Sequence, residues 1–368
     1  MTLIDQKLAR AALDMYAADH GINFGPQVVG FTEDKCLTSR GTQFAADAQP
    51  QLVTTPSSGI PNFLTTHISP KHIKILTAKN AGAEILGEER TGSFIDTNWI
   101  FPVVEHDGQV AAYGDHSNDG NAGANMNFPQ RQNFIFQIIA RWGQVALERA
   151  GLAKIGWAEE MRGASIDVLQ KFLNLSYFYG IQGLQNYGIL NSPGLFPAIA
   201  PSPKAFNSGT SGPWMTGNAI TATTLEMYGD IHALITQVIV QSNGNVDIDS
   251  PMRIVMSPSR LSAIQQPNEF GLNVRALLKD NFKNSSLHSA VQYGAASLQN
   301  PQGSQVGEIM QVIATEVMAQ QTVVASFSEK LRAGPVIMGL SDFEQKMSSG
   351  TWGALVYQPF AISTMLGL

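Results

Sequence analysis

At 368 residues the chain exceeds one typical domain, which predicts two compact lobes, or one lobe with long extensions, each burying its own core. Hydrophobic residues make up 44% of it and charged residues only 14%, against roughly 25% charged in ordinary soluble domains. No window approaches the roughly 18 consecutive apolar residues of a spanning helix, so no membrane is expected, and a net charge of −6 lacks the footprint of a nucleic-acid binder.

The shortage of charge then points to a surface covered by copies of the same chain, because the centres of permanent interfaces are depleted in charge. Cys36 is the single cysteine, so no internal disulfide forms, and the N-terminal stretch lacks the apolar core of a secretory signal. Production and assembly in a reducing cytoplasm are expected.

Residues 1–70 open with a short amphipathic helix (Leu3, Leu8, Ala12, Met15) and continue through polar, Gly- and Pro-punctuated sequence that reads as an extended arm. Residues 71–90, with Ile73, Ile75, Leu76, Ile85 and Leu86, predict two ordered elements joined at Asn80–Gly82. From Phe94 to Arg141 the pattern turns to β: strands in FIDTNWIFPVVEH and QVAAYG around a turn at Asp107-Gly108, a polar loop DHSNDGNAGANMN, then alternation in RQNFIFQIIARW. An isolated two-stranded excursion is marginal in water, so it is expected to lie on another surface.

Residues 157–187 place Met161, Ser165, Val168, Leu169, Phe172, Leu175, Ser176 and Tyr179 at helical spacing, a helix of roughly 40 Å that stops where Gly183, Gly188 and Asn191-Ser192-Pro193-Gly194 accumulate. Residues 190–320 read as a mixed lobe: a helix in TTLEMYGDIHALITQVIVQSNG, a buried strand MRIVMS, a helix opened by Ser257-Pro258 as cap and first residue, then GLNVRALLKDNF and a strand around MQVIATEVM. The chain closes in β character through TVVASFS, GPVIMGLS and TWGALVYQPFAISTML.

Arm, short core segment, long β excursion, very long helix, α/β lobe and closing strands follow one another in an order similar to the major capsid proteins of tailed bacteriophages with the fold named after phage Hong Kong 97. NYGILNSPGLFP at 186–197, directly after the long helix, resembles the segment that joins spine helix to axial domain in that family. MRIVMSPSRLSAI at 252–264 is similar to a strand-to-helix step of the axial domain.

The resemblance implies an α+β fold with an N-terminal arm (1–70), a peripheral domain (71–93, 141–189 and 321–368), an E-loop (94–140) and an axial domain (190–320). It implies a shell of pentamers and hexamers, with the E-loop over an adjacent subunit and the axial lobe near five-fold and six-fold positions. Packaged double-stranded DNA would be enclosed with weak, non-specific contact, in a virion assembled in the bacterial cytoplasm. Portal and decoration proteins are further expected partners. The short segment before the core predicts that any scaffold is a separate protein. Some members weld their shells through an E-loop lysine, but no Lys occurs between Lys79 and Lys154, so that cross-link is not expected.

Contact residues are expected at Trp99, Ile100 and Phe101 in the base of the excursion and at Asn191, Ser192, Pro193 and Gly194. Asp342, Glu344, Lys330 and Arg332 are candidates for inter-subunit ion pairs. Asp115 to Gly120 matches the start of a calcium loop, but position twelve is Met126 where a bidentate Glu is needed, so a polar turn is the simpler reading. The seven histidines have no zinc spacing, and no phosphate-binding, dinucleotide or nucleophile-elbow motif occurs. No catalytic residue, metal or cofactor is assigned. Two alternatives stay open: an encapsulin-type compartment of the same fold, and a soluble α/β enzyme with a site built from scattered Asp, His and Ser.

Overall fold

Two four-stranded sheets and one long helix organise the described part of the chain. The computed structural model describes residues 79–115, 119–152, 155–207, 209–217, 219–267 and 271–368. The expected arm, Cys36, His67, His72 and the centre of the calcium-like turn lie outside the described residues.

Helix α1 (Gly82–Leu86) buries Ile85 and Leu86 and passes to strand β1 (Glu88–Arg90) at Gly87, whose φ of 78° suits glycine. The first of the two elements expected in 71–90 falls on residues outside the described ones; the second begins at Gly82, directly after Asn80 and Ala81. A ribbon follows. Strand β2 (Asn98–Ile100) continues into β3 (Val103–Gln109), which returns through β4 (Asn121–Asn127) and β5 (Gln130–Gln132).

Asp107-Gly108 is no turn: it lies inside β3, with Asp107 opposite Gly123 and Gly108 opposite Ala122. The expected polar loop likewise contains β4. Every residue of β3 and β4 is exposed, so neither face imposes the apolar alternation from which a strand is read.

Strand β6 (Phe134–Gly143) alternates exposed positions with inward ones that are half-buried at first and buried at Ala140 and Trp142, as its sequence does. After α2 (Gln144–Leu152) comes α3 (Trp157–Tyr179), 23 residues or roughly 35 Å long. Its buried face is Ser165, Leu169, Leu173, Asn174, Ser176, Tyr177 and Phe178. The expected stripe is thus partly displaced, with Val168 51% exposed and Phe172 turned onto the edge strand, its ring 4.5 Å from that of Phe136. The helix stops at Gly180, before Gly183, because φ there is 66°, and the position requires glycine because a Cβ would collide with the Asn186 carbonyl.

Helix α4 (Thr224–Gln241) starts at a capping box, Thr223 with Glu226, and buries Met227, Ile231, Leu234, Ile235 and Val238. Strand β7 (Met252–Met256) leads through the Ser257 cap and Pro258 into α5 (Pro258–Ile264), as expected. Helix α6 (Val274–Asn281), strand β8 (Ser285–Ser289) and strand β9 (Ile309–Ala314) complete this lobe.

The long strands β10 (Val323–Met338) and β11 (Asp342–Val356) form an antiparallel pair interrupted by register shifts, and β12 (Ile362–Leu366) ends the chain. The first sheet has the order β1-β10-β11-β6 and carries α3 on one face, where Ser176 Oγ and Thr351 Oγ1 lie 2.9 Å apart. The second has the order β8-β7-β9-β12. Strand β12, expected with the closing strands of 321–368, is hydrogen-bonded into this second sheet beside β9, with Met365 in the core of the α4 lobe and Ile362 and Leu366 in the core shared with α3.

The second sheet is buried on both faces. Ile254, Met256, Met310 and Val312 enter a core with α4, while Val255, Ile309 and Ile313 enter a core with Leu173, Tyr177 and Phe178 of α3. Such double burial is why MRIVM and IMQVIA read as near-continuous apolar runs. The α4 lobe also holds a fully buried ion pair, Lys204 Nζ to Asp230 Oδ2 at 2.5 Å. Asp230 further accepts the Trp214 indole N–H at 2.7 Å and the Ser202 amide at 2.8 Å, which satisfies a carboxylate removed from water.

Candidate functional site

The ribbon meets the body of the chain at its root. Trp99 on β2 is half-buried and its ring lies 5.5 Å from that of Phe101 and 6.1 Å from that of Trp352. Phe101 continues the series to Tyr357 at 6.3 Å. These rings lock the base of the ribbon onto β11. Ile100 points away and is 57% exposed, and Ile95 and Phe128 nearby are also open.

The other side of the root, β5, docks on the loop after α3. Gln132 donates its amide N–H to the Gln185 carbonyl at 3.0 Å, and Asn186 Nδ2 donates to the Gln132 carbonyl at 3.1 Å and to the Thr351 carbonyl at 3.0 Å. Arg131, directly across from Trp99 in register, stacks its guanidinium 4.8 Å from the centre of the Tyr187 ring. Arg131 is only 9% exposed, and burial holds its guanidinium below the usual arginine range, partly offset by Tyr187.

The NSPG turn plays a different part from the aromatic root. Asn191 Nδ2 donates to the Tyr179 carbonyl at 2.6 Å, and Asn191 Oδ1 accepts the Gly188 amide at 2.7 Å. One side chain thereby closes the end of α3 and fixes the exit of the chain. Ser192 is buried; Pro193 and Gly194 are exposed. No hydrogen bond or ring contact joins this turn to Trp99, Ile100 or Phe101, so the two sets of expected contact residues occupy separate places among the described residues.

Two of the four candidates for inter-subunit ion pairs, Glu344 and Lys330, have ion-pair partners within the chain. Glu344 pairs with Arg141 at 2.8 Å, Lys330 pairs with Glu88, and the Arg332 guanidinium lies 5.1 Å from the centre of the Phe94 ring. Glu88 also accepts the Tyr177 hydroxyl at 3.2 Å. Burial, then the charge of Glu88, pushes that phenol well above its ordinary value, so it stays a neutral donor.

Sequence reading missed Arg131, Gln132, Asn186 and Tyr187. Only NYG, inside the segment noted for its resemblance, carried a signal for two of them. Among the described residues no group of three or more His, Cys, Asp or Glu side chains could hold a metal ion. The arrangement brings together no nucleophile, base and oxyanion donors; what it provides is a braced root for an outlying ribbon.

A family model described as Pa193 gp26 major capsid protein matches residues 51–367. No curated protein matches the chain. Among solved structures, the capsid of Myoviridae phage XM1 is 15% identical with a TM-score of 0.65, covering 84% of this chain and 99% of that one. The capsid of the native GTA particle is 9% identical with a TM-score of 0.57, covering 85% and 99%. A chain of Mycobacterium phage Ogopogo is 13% identical with a TM-score of 0.51, covering 82% and 96%. The fold is the Hong Kong 97-type capsid fold that the order of elements led us to expect. With the family model spanning most of its length, the chain belongs to the Pa193 gp26 family of major capsid proteins.

Proposed function

We propose that this chain builds the icosahedral head shell of a tailed bacteriophage around double-stranded DNA, as pentamers and hexamers of itself. The observation that carries the reading is the ribbon: 14 paired residues, all exposed, held at the root by Trp99, Phe101 and Trp352. A two-stranded ribbon gains little in water alone, so its burial on another subunit is the use that accounts for it. Ile100 at its base and Pro193 and Gly194 beyond the spine helix are proposed contact residues.

The role is architectural, without catalysis of its own. Head-to-tail surfaces close into rings and the rings into a shell. A net charge of −6 supports an inner wall that holds DNA weakly and without sequence preference, so the genome slides during packing and ejection. Separate scaffolding, portal and decoration proteins fit this scheme, with assembly in the host cytoplasm. Negative-stain electron microscopy with sedimentation of the purified protein tests it. Closed shells, or rings of five and six, are expected; a stable monomer that fails to assemble even beside the phage's other head proteins would overturn it.

A further inference from the structure

Arg131 carries a charge that no described residue of its own chain answers. It is 9% exposed, no carboxylate among the described residues pairs with it, and its Nε has no hydrogen-bond partner there. Its one close neighbour of note is the face of Tyr187. A guanidinium drawn out of water without a counter-charge is costly to the subunit, and such groups find partners when surfaces close.

The ribbon supplies the complementary charge. Between Phe101 and Pro129 the sequence contains four acidic residues, Glu105, Asp107, Asp115 and Asp119, and no Lys or Arg. Glu105 and Asp107 stand two residues apart on β3, hence on one face, exposed and without ion pairs among the described residues. They cannot serve their own Arg131 along an extended strand, since six to eight residues separate them from its register partner Trp99, roughly 20–26 Å.

We propose that Arg131 is a receptor for a carboxylate of a second copy, and that Glu105 or Asp107 on the neighbour's ribbon is the group it receives. The inference rests on the shell-building reading and gives that contact its polar register. The pair is heterologous, as head-to-tail closure requires: each copy gives a carboxylate to one neighbour and takes one from the other. Charge pairing of this kind fixes register and rejects misplaced ribbons.

The test compares full-length wild type, Arg131→Gln, Arg131→Met, the double variant Glu105→Gln/Asp107→Asn, and the combination of Arg131→Gln with that double variant. Sedimentation and electron microscopy read the assembled fraction; thermal unfolding and near-ultraviolet circular dichroism of free subunits read the fold. Arg131→Gln is expected to lower the assembled fraction by about tenfold or more, while the free subunit stays at least as stable as wild type, because an uncompensated charge has been removed. The ribbon variant should match it, and the combination should be no worse than either. Reversal of both sides, Arg131→Glu with Glu105→Arg/Asp107→Arg, should restore shells.

A loss of subunit stability in step with lost assembly for both Arg131 variants would assign Arg131 a purely internal role and overturn the proposal. So would normal assembly of the ribbon variant. Shells of normal yield but lower DNA content in Arg131→Gln would identify a phosphate as the occupant instead. Failure of wild type to form shells even beside the phage's other head proteins would sink the shell-building reading itself, an outcome distinct from all of these.

Discussion

Trp99 stands edge-on to Trp352, with ring centroids 6.1 Å apart and planes at 64°. Trp352 is wholly buried and donates its indole N–H to the Thr91 carbonyl at 2.9 Å. A nearly naked ribbon is therefore tied to the four-stranded first sheet of its own chain. Trp99→Ala is expected to lower subunit stability by about 1–2 kcal/mol, less than a fully buried aromatic because the ring is half-buried. It should lower shell yield far more. Thermal unfolding beside sedimentation checks both, and intact shells at wild-type yield would refute the assembly role.

Gly188 packs against the last turn of α3 so closely that a Cβ would overlap the Phe178 carbonyl and the Tyr179 amide. Backbone cannot move aside as a flexible side chain can. Gly188→Ala is expected to cost about 3 kcal/mol or more, or to yield insoluble protein. Gly183, with φ of 84° but open space around it, is the control: Gly183→Ala should cost only about 1 kcal/mol, from backbone strain. Equal behaviour of the two in urea unfolding would count against the packing argument.

The pair Lys204 and Asp230 is buried completely. Removing one partner leaves the other charged and unanswered, so Lys204→Met or Asp230→Asn should each lose about 3–5 kcal/mol. The double variant should lose much less than the sum, since no charge is left stranded. A double-mutant cycle by urea denaturation reads the coupling, and additive losses would contradict it.

His288 lies 3.6 Å from Glu84, yet burial outweighs that carboxylate and holds the imidazole below its ordinary value. The native state then binds fewer protons than the unfolded one. The stability contributed by neutral His288 is present above the unfolded value of about 6.5 and is lost as pH falls through the lower folded value. Unfolding midpoints at pH 7.5 and pH 5 should differ less for His288→Gln than for wild type. An unchanged difference would show that other groups carry the acid sensitivity.

The lobe around α4 was legible because its signals are local. Thr223 and Glu226 write a capping box, Ser257-Pro258 writes a helix start, and MRIVM can only be a strand buried on two sides. The spine helix was legible from its spacing, but its end was not: Gly180 leaves the helical conformation at a positive φ, in a place where the Asn186 carbonyl, six residues on, leaves no room for a Cβ, which no local pattern reports. The ribbon failed for a related reason. Asp107-Gly108 has the chemistry of a turn, and only pairing with Ala122 and Gly123 keeps it extended. Arg131 could not be singled out at all, because its isolation is a property of what surrounds it in space.

One layer of backbone, β7 with β9, is the common wall of two apolar cores, its residues pointing alternately into each. Such a septum leaves no slip plane inside the subunit, since any shear of one lobe against the other would tear side chains from both compartments at once. Copies that meet at unequal angles must then absorb the difference in curvature elsewhere, in the ribbon beyond Trp99 and in the far end of the β10–β11 hairpin, where Ile337, Met338 and Leu340 stand in the open.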